Sequence, residues 1–160
     1  MAQSIIDVLK QEHQELMNGL NNVMERGAPP EKGTRNQEFE RVHRMFLQHA
    51  HGEEEAFYPR VREDMPDLIR DALNEHEKVR TQMQELSSQW HEESEWKNRL
   101  QEMKGNIQHH VNDEEQKIFP RTRDMFNTQE LEQMAQQFED AKQRAPGMTA
   151  AAPGRAEAAR

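Results

Sequence analysis

The sequence predicts an all-α protein: an antiparallel up-down four-helix bundle, then a short fifth C-terminal helix and a disordered tail. Three observations carry that expectation. Apolar residues recur at spacings near three and four along four long stretches, the period of helices that bury one stripe. No stretch alternates apolar and polar residues as a half-buried strand does. A motif in the second stretch, HAHGEEEAFYPRVRE, returns without gaps as HVNDEEQKIFPRTRD in the fourth. Both read H-x3-E-E-x3-aromatic-P-R-x-R-acid, so the bundle looks like a duplicated helical hairpin.

The first helix opens at Ser4 and Asp7, a capping pair, and carries the seam Ile6, Leu9, position 13, Leu16, Leu20 and Val23. The stretch RGAPPEKGT, residues 26–34, breaks it. From about residue 36 a second helix runs on Phe39, Val42, Phe46, positions 49 and 53, and Ala56. Pro59 is expected to end or kink it, since proline lacks the N–H that the preceding turn needs. Near Pro66 or Asp67 a third helix begins, on Ile69, Ala72, position 76, Val79, Met83, Leu86 and Trp90. The fourth starts near Ser94, uses Trp96, Leu100, Met103, Ile107, positions 110 and 114, and Ile118, and is expected to stop at Pro120. Asn127 with Glu130 forms a capping box for a fifth helix that ends near Arg144. The chain thus divides into a bundle (1–126), a short helix (127–144) and a small-residue, Pro- and Gly-containing tail (145–160) read as disordered.

Composition narrows the function. The chain has 160 residues, enough for one domain. Its 30 acidic and 21 basic residues give a net charge of −9, which argues against a phosphate-binding surface and hence against nucleic acid. Hydrophobic residues are only 33%, so the core is thin, and the ten methionines are read as fillers of its gaps. There is no cysteine, which excludes disulfides, thiol catalysis and thiolate-held zinc or iron–sulfur sites. The opening MAQSIIDVLKQEH has no long apolar run, so neither a signal peptide nor a membrane span is expected and the location reads as cytoplasmic.

Six positions break the seams: His13, His49, Glu53, His76, His110 and Glu114. Each occupies a place where leucine or methionine would ordinarily sit, and six buried polar groups in one thin core need compensation. At 1.5 Å per residue, His13 lies roughly 13 Å into its helix, and His76 lies similarly deep in its own. His49 and His110 each precede by ten residues the proline near their helix ends. In an up-down bundle these depths coincide, so all six side chains should converge at one level. Nitrogen and oxygen donors without thiolate suit a pair of iron or manganese ions, with zinc less favoured. The bland alternative is that the six groups pair with one another. His43, His51, His91 and His109 fall off the seams and read as bystanders. Glu12, Glu54, Glu75 and Glu115 adjoin the six and read as supports or rim groups. Tyr58 reads as packing near the bundle end, with a phenol close to the metals left open.

His13, then His49 with Glu53, His76, and His110 with Glu114 resemble the hemerythrin-like, HHE cation-binding domain over roughly residues 4–125. The resemblance implies a four-helix bundle around two iron ions, a non-haem centre bridged by two carboxylates and an oxo or hydroxo group. It also implies an activity: binding of, and reaction with, a small oxidant such as dioxygen, hydrogen peroxide or nitric oxide. A non-catalytic oxygen or iron sensor, an iron reserve, or an iron donor for iron–sulfur repair is the alternative. Oxygen-carrying members have a second histidine one turn after the third-helix histidine, where this chain has Arg80. They also space the fourth-helix histidine and an aspartate five apart, where this chain has His110 and Glu114 four apart. Fewer histidines leave an open position on the metals and favour chemistry or sensing over carriage.

Overall fold

In the computed structural model, residues 2–26, 37–89 and 91–146 are described, and they are helical with no strand among them. The chain begins with α1 (Ile5–Arg26). The Ser4 hydroxyl accepts the Asp7 backbone N–H at 3.2 Å, satisfying one of the donors a helix start leaves open. Every expected seam residue of α1 is buried, with Ile5 and Gly19 added. Gly19 is there for space: a Cβ would lie 2.7 Å from Cγ2 of Val42 on the next helix.

α2 (Gln37–Gly52) does not stop at the proline. It passes through a π turn, Glu53–Phe57, into α3 (Tyr58–Val61). α5 (Glu93–Asp113) likewise passes through a second π turn, Glu114–Ile118, into α6 (Phe119–Met125). The expected ends at Pro59 and Pro120 are therefore corrected to Val61 and Met125. In each π turn one extra residue widens the hydrogen-bonded ring, so that the Tyr58 N–H reaches the Glu53 carbonyl and the Phe119 N–H reaches that of Glu114. The proline then falls in the first turn of the next helical segment, where its missing N–H costs little.

α4 (Pro66–Ser88) starts on its proline and buries Ile69, Ala72, His76, Val79, Met83 and Leu86. α7 (Thr128–Gln143) starts on the expected capping box, Asn127 and Glu130 bonding each other's backbone N–H. Residues 27–36, which hold most of the expected helix break at 26–34, Trp90 and the expected tail from residue 147 onward lie outside the described residues. Ala145, placed by sequence in the tail, is fully buried.

α1 packs on α2 and α5, and α4 packs on α5 and α2, which closes a ring of four rods. α7 lies outside the ring across α1, α2 and the first π turn. The apolar core falls into two clusters. One gathers Ile5, Leu9, Tyr58, Ile69 and Phe119 with α7; the other gathers Leu16, Val42, Met83, Trp96 and Leu100. Met65, Met83, Met103 and Met134 are buried fillers, whereas Met17, Met24, Met45 and Met125 only flank the core. Between the clusters lies a layer of buried histidine and glutamate. No helix among the described residues is long and apolar enough to cross a membrane.

Candidate metal centre

All six seam-breaking residues meet in that layer. His13, His49, Glu53 and Glu114 form one group of potential ligand atoms, and Glu53, His76, His110 and Glu114 form another; each group's atoms lie within 4.8 Å of one another. The two glutamates, both fully buried, belong to both groups. Glu114 turns Oε1 toward His13 Nε2 at 2.9 Å and Oε2 toward His110 Nε2 at 3.5 Å. Glu53 Oε1 lies 3.4 Å from His49 Nε2 and 3.1 Å from His76 Nε2.

The outer ring nitrogens explain this orientation. Each Nδ1 meets a carboxylate: His13 that of Glu115 at 2.8 Å, His49 that of Glu12 at 2.9 Å, His76 that of Glu54 at 2.7 Å, and His110 that of Glu75 at 2.8 Å. A carboxylate on Nδ1 holds the proton there and turns the Nε2 lone pair inward. The pairing follows the sequence repeat. Glu12 holds the histidine of the next helix in its own hairpin, as Glu75 does, while Glu54 and Glu115 reach across to the other hairpin.

Without an ion this arrangement is poorly satisfied. His13 Nε2, His49 Nε2, Glu53 Oε2 and Glu114 Oε1 are buried without a hydrogen-bond partner. The 2.9 Å approach of His13 Nε2 to Glu114 is thus a proximity lacking hydrogen-bond alignment. His76 Nε2 and His110 Nε2 stand 3.2 Å apart. In the metal-free site, protons take the missing role. Burial alone would lower the His49 pKa, but the charge of Glu53 and the bond to Glu12 outweigh it and raise it to about 10. Burial likewise disfavours charge on His13 and His110, yet their carboxylate partners hold both above the usual range. Burial pushes Glu53 and Glu114 up, and the histidines pull both below the usual carboxylate value. Inward lone pairs, orphaned oxygens and an all nitrogen–oxygen donor set fit transition-metal ions.

Tyr58 is the residue that sequence reasoning placed least well. Instead of packing at the bundle end, its hydroxyl lies in the site. It donates to Glu114 and stands 3.1 Å from Glu53 Oε1 and 3.3 Å from His76 Nε2. Burial and the two carboxylates raise its pKa well above the ordinary phenol value, so it keeps its proton. The aligned position in the repeat is Phe119, which stacks on His13 as Tyr58 stacks on His76. The signal was therefore present in the alignment: the two halves differ by one hydroxyl at a matched aromatic.

The flanking residues sort as follows. Arg80, standing where oxygen carriers place a ligand, turns outward and donates to Glu54 at 2.9 Å, bracing the carboxylate that holds His76. Lys142 of α7 bonds Glu12 in the same way. His51 pairs with Glu55 at 2.8 Å, away from the layer. His91 is buried near the Glu85 carbonyl, and His43 lies by Phe39. His109 is exposed and adjoins Glu75 and Asp113.

A family model for the hemerythrin HHE cation-binding domain matches residues 4–122. The chain belongs to this family. The match ends before α7. Among curated proteins, a DNA nickase of Nostoc sp. (strain PCC 7120) is 27% identical over 143 residues. That match covers 87% of this chain and 39% of the relative, so the chain spans well under half of that protein. No solved structure matches the chain.

Proposed function

We propose that this hemerythrin-like domain is an up-and-down antiparallel bundle holding two iron ions, and that it binds and reacts with a small oxidant: dioxygen, hydrogen peroxide or nitric oxide. The observation that carries the reading is the convergence of four inward Nε2 atoms on two shared, buried carboxylates. His13 and His49 would hold one ion, His76 and His110 the other, and Glu53 and Glu114 would reach both. A pair of bound irons supplies redox equivalents and open coordination positions for a small oxidant. The chain's own part is to fix the donors and exclude water. The four outer carboxylates lock the imidazoles, and the two apolar clusters seal the layer above and below. Tyr58 holds a proton at its hydroxyl beside both shared carboxylates, on the His76 side of the layer.

Metal analysis of the purified protein tests the reading, with about two irons per chain expected. Stoichiometric zinc, or no bound metal, overturns it. His13→Ala, His76→Ala and His110→Ala are each expected to lower iron content and near-ultraviolet absorption, while His51→Ala leaves both unchanged. The Nostoc relative's name raises DNA nicking as a second reading. The charge of −9 opposes approach to phosphates, and relaxation of supercoiled plasmid by the iron-loaded protein would favour nicking instead.

A further inference from the structure

Glu12 and Glu75 are matching carboxylates, each directly before a layer histidine in its own helix. Each holds the Nδ1 of the histidine on the next helix, His49 at 2.9 Å and His110 at 2.8 Å. Their outer surroundings differ. On the His49 side, α7 supplies the cover: Phe138 packs on Gly52, and the Lys142 ammonium bonds Glu12. On the His110 side, the repeat puts His109 where Gln48 stands and Asp113 where Gly52 stands. Glu75 therefore meets an imidazole and a second carboxylate where Glu12 meets an ammonium.

The spacing in that cluster is that of donors around one ion. Glu75 spends Oε1 on His110 and turns Oε2 toward His109 Nε2 at 3.4 Å, and Asp113 turns Oδ2 toward the same nitrogen at 3.3 Å. Both distances are long for N–H···O hydrogen bonds, which centre at about 2.9–3.0 Å, and one nitrogen cannot aim a proton at both oxygens. They match neighbouring ligands of a tetrahedral ion, which at about 2.0–2.1 Å from the metal stand about 3.3–3.4 Å from each other. One donor atom from each of the three residues lies within 4.8 Å of the other two. Lys117 takes the other oxygen of Asp113, Oδ1, at 3.4 Å and leaves Oδ2 to the cluster. His109 and Asp113 sit one turn apart on α5 and Glu75 comes from α4, so two packed helices fix the donors. A nitrogen with two oxygens suits a first-row divalent ion such as zinc or manganese over magnesium or calcium, which take oxygen ligands. His109 is 66% exposed, so water can complete the coordination.

We propose that Glu75, His109 and Asp113 form a separate divalent transition-metal site on the outer face of the His110 position, with the ion standing on Glu75 as Lys142 stands on Glu12. The site does not depend on what the inner layer holds. The two meet only through Glu75, which would bind the outer ion by Oε2 while holding His110 by Oε1.

The test uses the full chain, first exposed to iron and checked by metal analysis, then dialysed against zinc with and without excess magnesium. Bound zinc is counted in wild-type protein and in variants, so that zinc on other surface groups cancels in the difference. His109→Ala is expected to bind one zinc per chain fewer than wild type, at unchanged iron content. Asp113→Asn is expected to do the same and serves if the first variant folds poorly. Equal zinc in wild type and both variants overturns the site. A difference that vanishes in excess magnesium marks an acidic patch only and also overturns it. Failure of the iron reading shows separately, as wild-type protein without iron; the zinc difference still decides the outer site, because wild type and variants keep the same inner donors.

Discussion

Replacing Gly52 with alanine tests how α7 is seated against the metal layer. Gly52 has ordinary helical dihedrals, φ −60° and ψ −43°, so it is not needed for backbone freedom. In an unobstructed helix interior, glycine to alanine stabilises by about 0.5–1 kcal/mol. Here the added Cβ would lie 2.5 Å from Cε1 and 2.7 Å from Cδ1 of Phe138, and 3.1 Å from Cγ of Lys142. Phe138 is fully buried with its ring edge against His49, so it cannot swing into solvent. Overpacking of this kind costs about 1–3 kcal/mol. Set against the propensity gain, this leaves a net loss of up to about 2.5 kcal/mol, or a melting temperature lower by up to about 10 °C for a chain of this size. Gly105 is the control: it lies in α5 with nothing within 4 Å of an added methyl, and alanine there is expected to stabilise. Thermal unfolding of both variants, metal-free at one pH, reads the comparison. A Gly52→Ala protein as stable as Gly105→Ala would refute the seating of α7 on Gly52. In a double-mutant cycle, Phe138→Ala is expected to relieve part of the Gly52→Ala cost.

Two further predictions concern the polar layer. The raised His49 pKa, about 10 against 6.5, stabilises the metal-free fold fully below about pH 6.5, and the benefit is lost as pH rises toward 10. The depressed Glu53 and Glu114 pKa values stabilise it above their usual 4.5, with loss as pH falls. Metal-free protein should therefore be most stable between those limits, and its melting temperature should drop from pH 6 to pH 9. Iron-loaded protein should show little of that drop, because metal competes with protons for the same nitrogens; parallel curves for the two forms would refute the site's role. Tyr58→Phe should fold, since Phe119 fills the matching position in the other half, and should keep both irons. Losing the donor to Glu114 should cost about 1–3 kcal/mol in the metal-free protein, measured by denaturant unfolding.

The apolar seams were legible because burial follows the helical period. Every described seam residue, from Ile6 to Ile118, is buried, and the six polar interruptions fall in one layer because their depths coincide. The supports were half legible. Their positions beside the six were read from sequence, but not that Glu12 would hold His49, or Glu54 reach His76. Such pairings depend on helix rotation, which seam spacing leaves open. The π turns were missed because proline in a helical pattern ordinarily signals an end. Two matched prolines, each six residues after a buried glutamate, were the available clue. Nothing in the α7 sequence showed that it would lie across the outer side of His49, since docking of an amphipathic helix is decided by the shape of the surface it meets. Gly52, aligned with Asp113 in the repeat, marks that surface only once Phe138 is seen above it.

The duplicated hairpin would make the two metal positions alike, and the structure departs from that symmetry at two matched positions. Tyr58 against Phe119 puts a hydroxyl near His76 and Glu114 but none beside His13. Gly52 against Asp113 admits Phe138 of α7 against His49. The first difference acts at the inner face of one position, and the second acts through the outer face of the other. Two irons held here should therefore be spectroscopically inequivalent. A Mössbauer spectrum of the loaded protein is expected to show two quadrupole doublets of equal area, and Tyr58→Phe should bring them closer without merging them, because α7 still covers only the His49 side. A single doublet in the wild-type protein would mean that neither departure reaches the metals, and that the symmetry of the sequence repeat, rather than its exceptions, governs the centre.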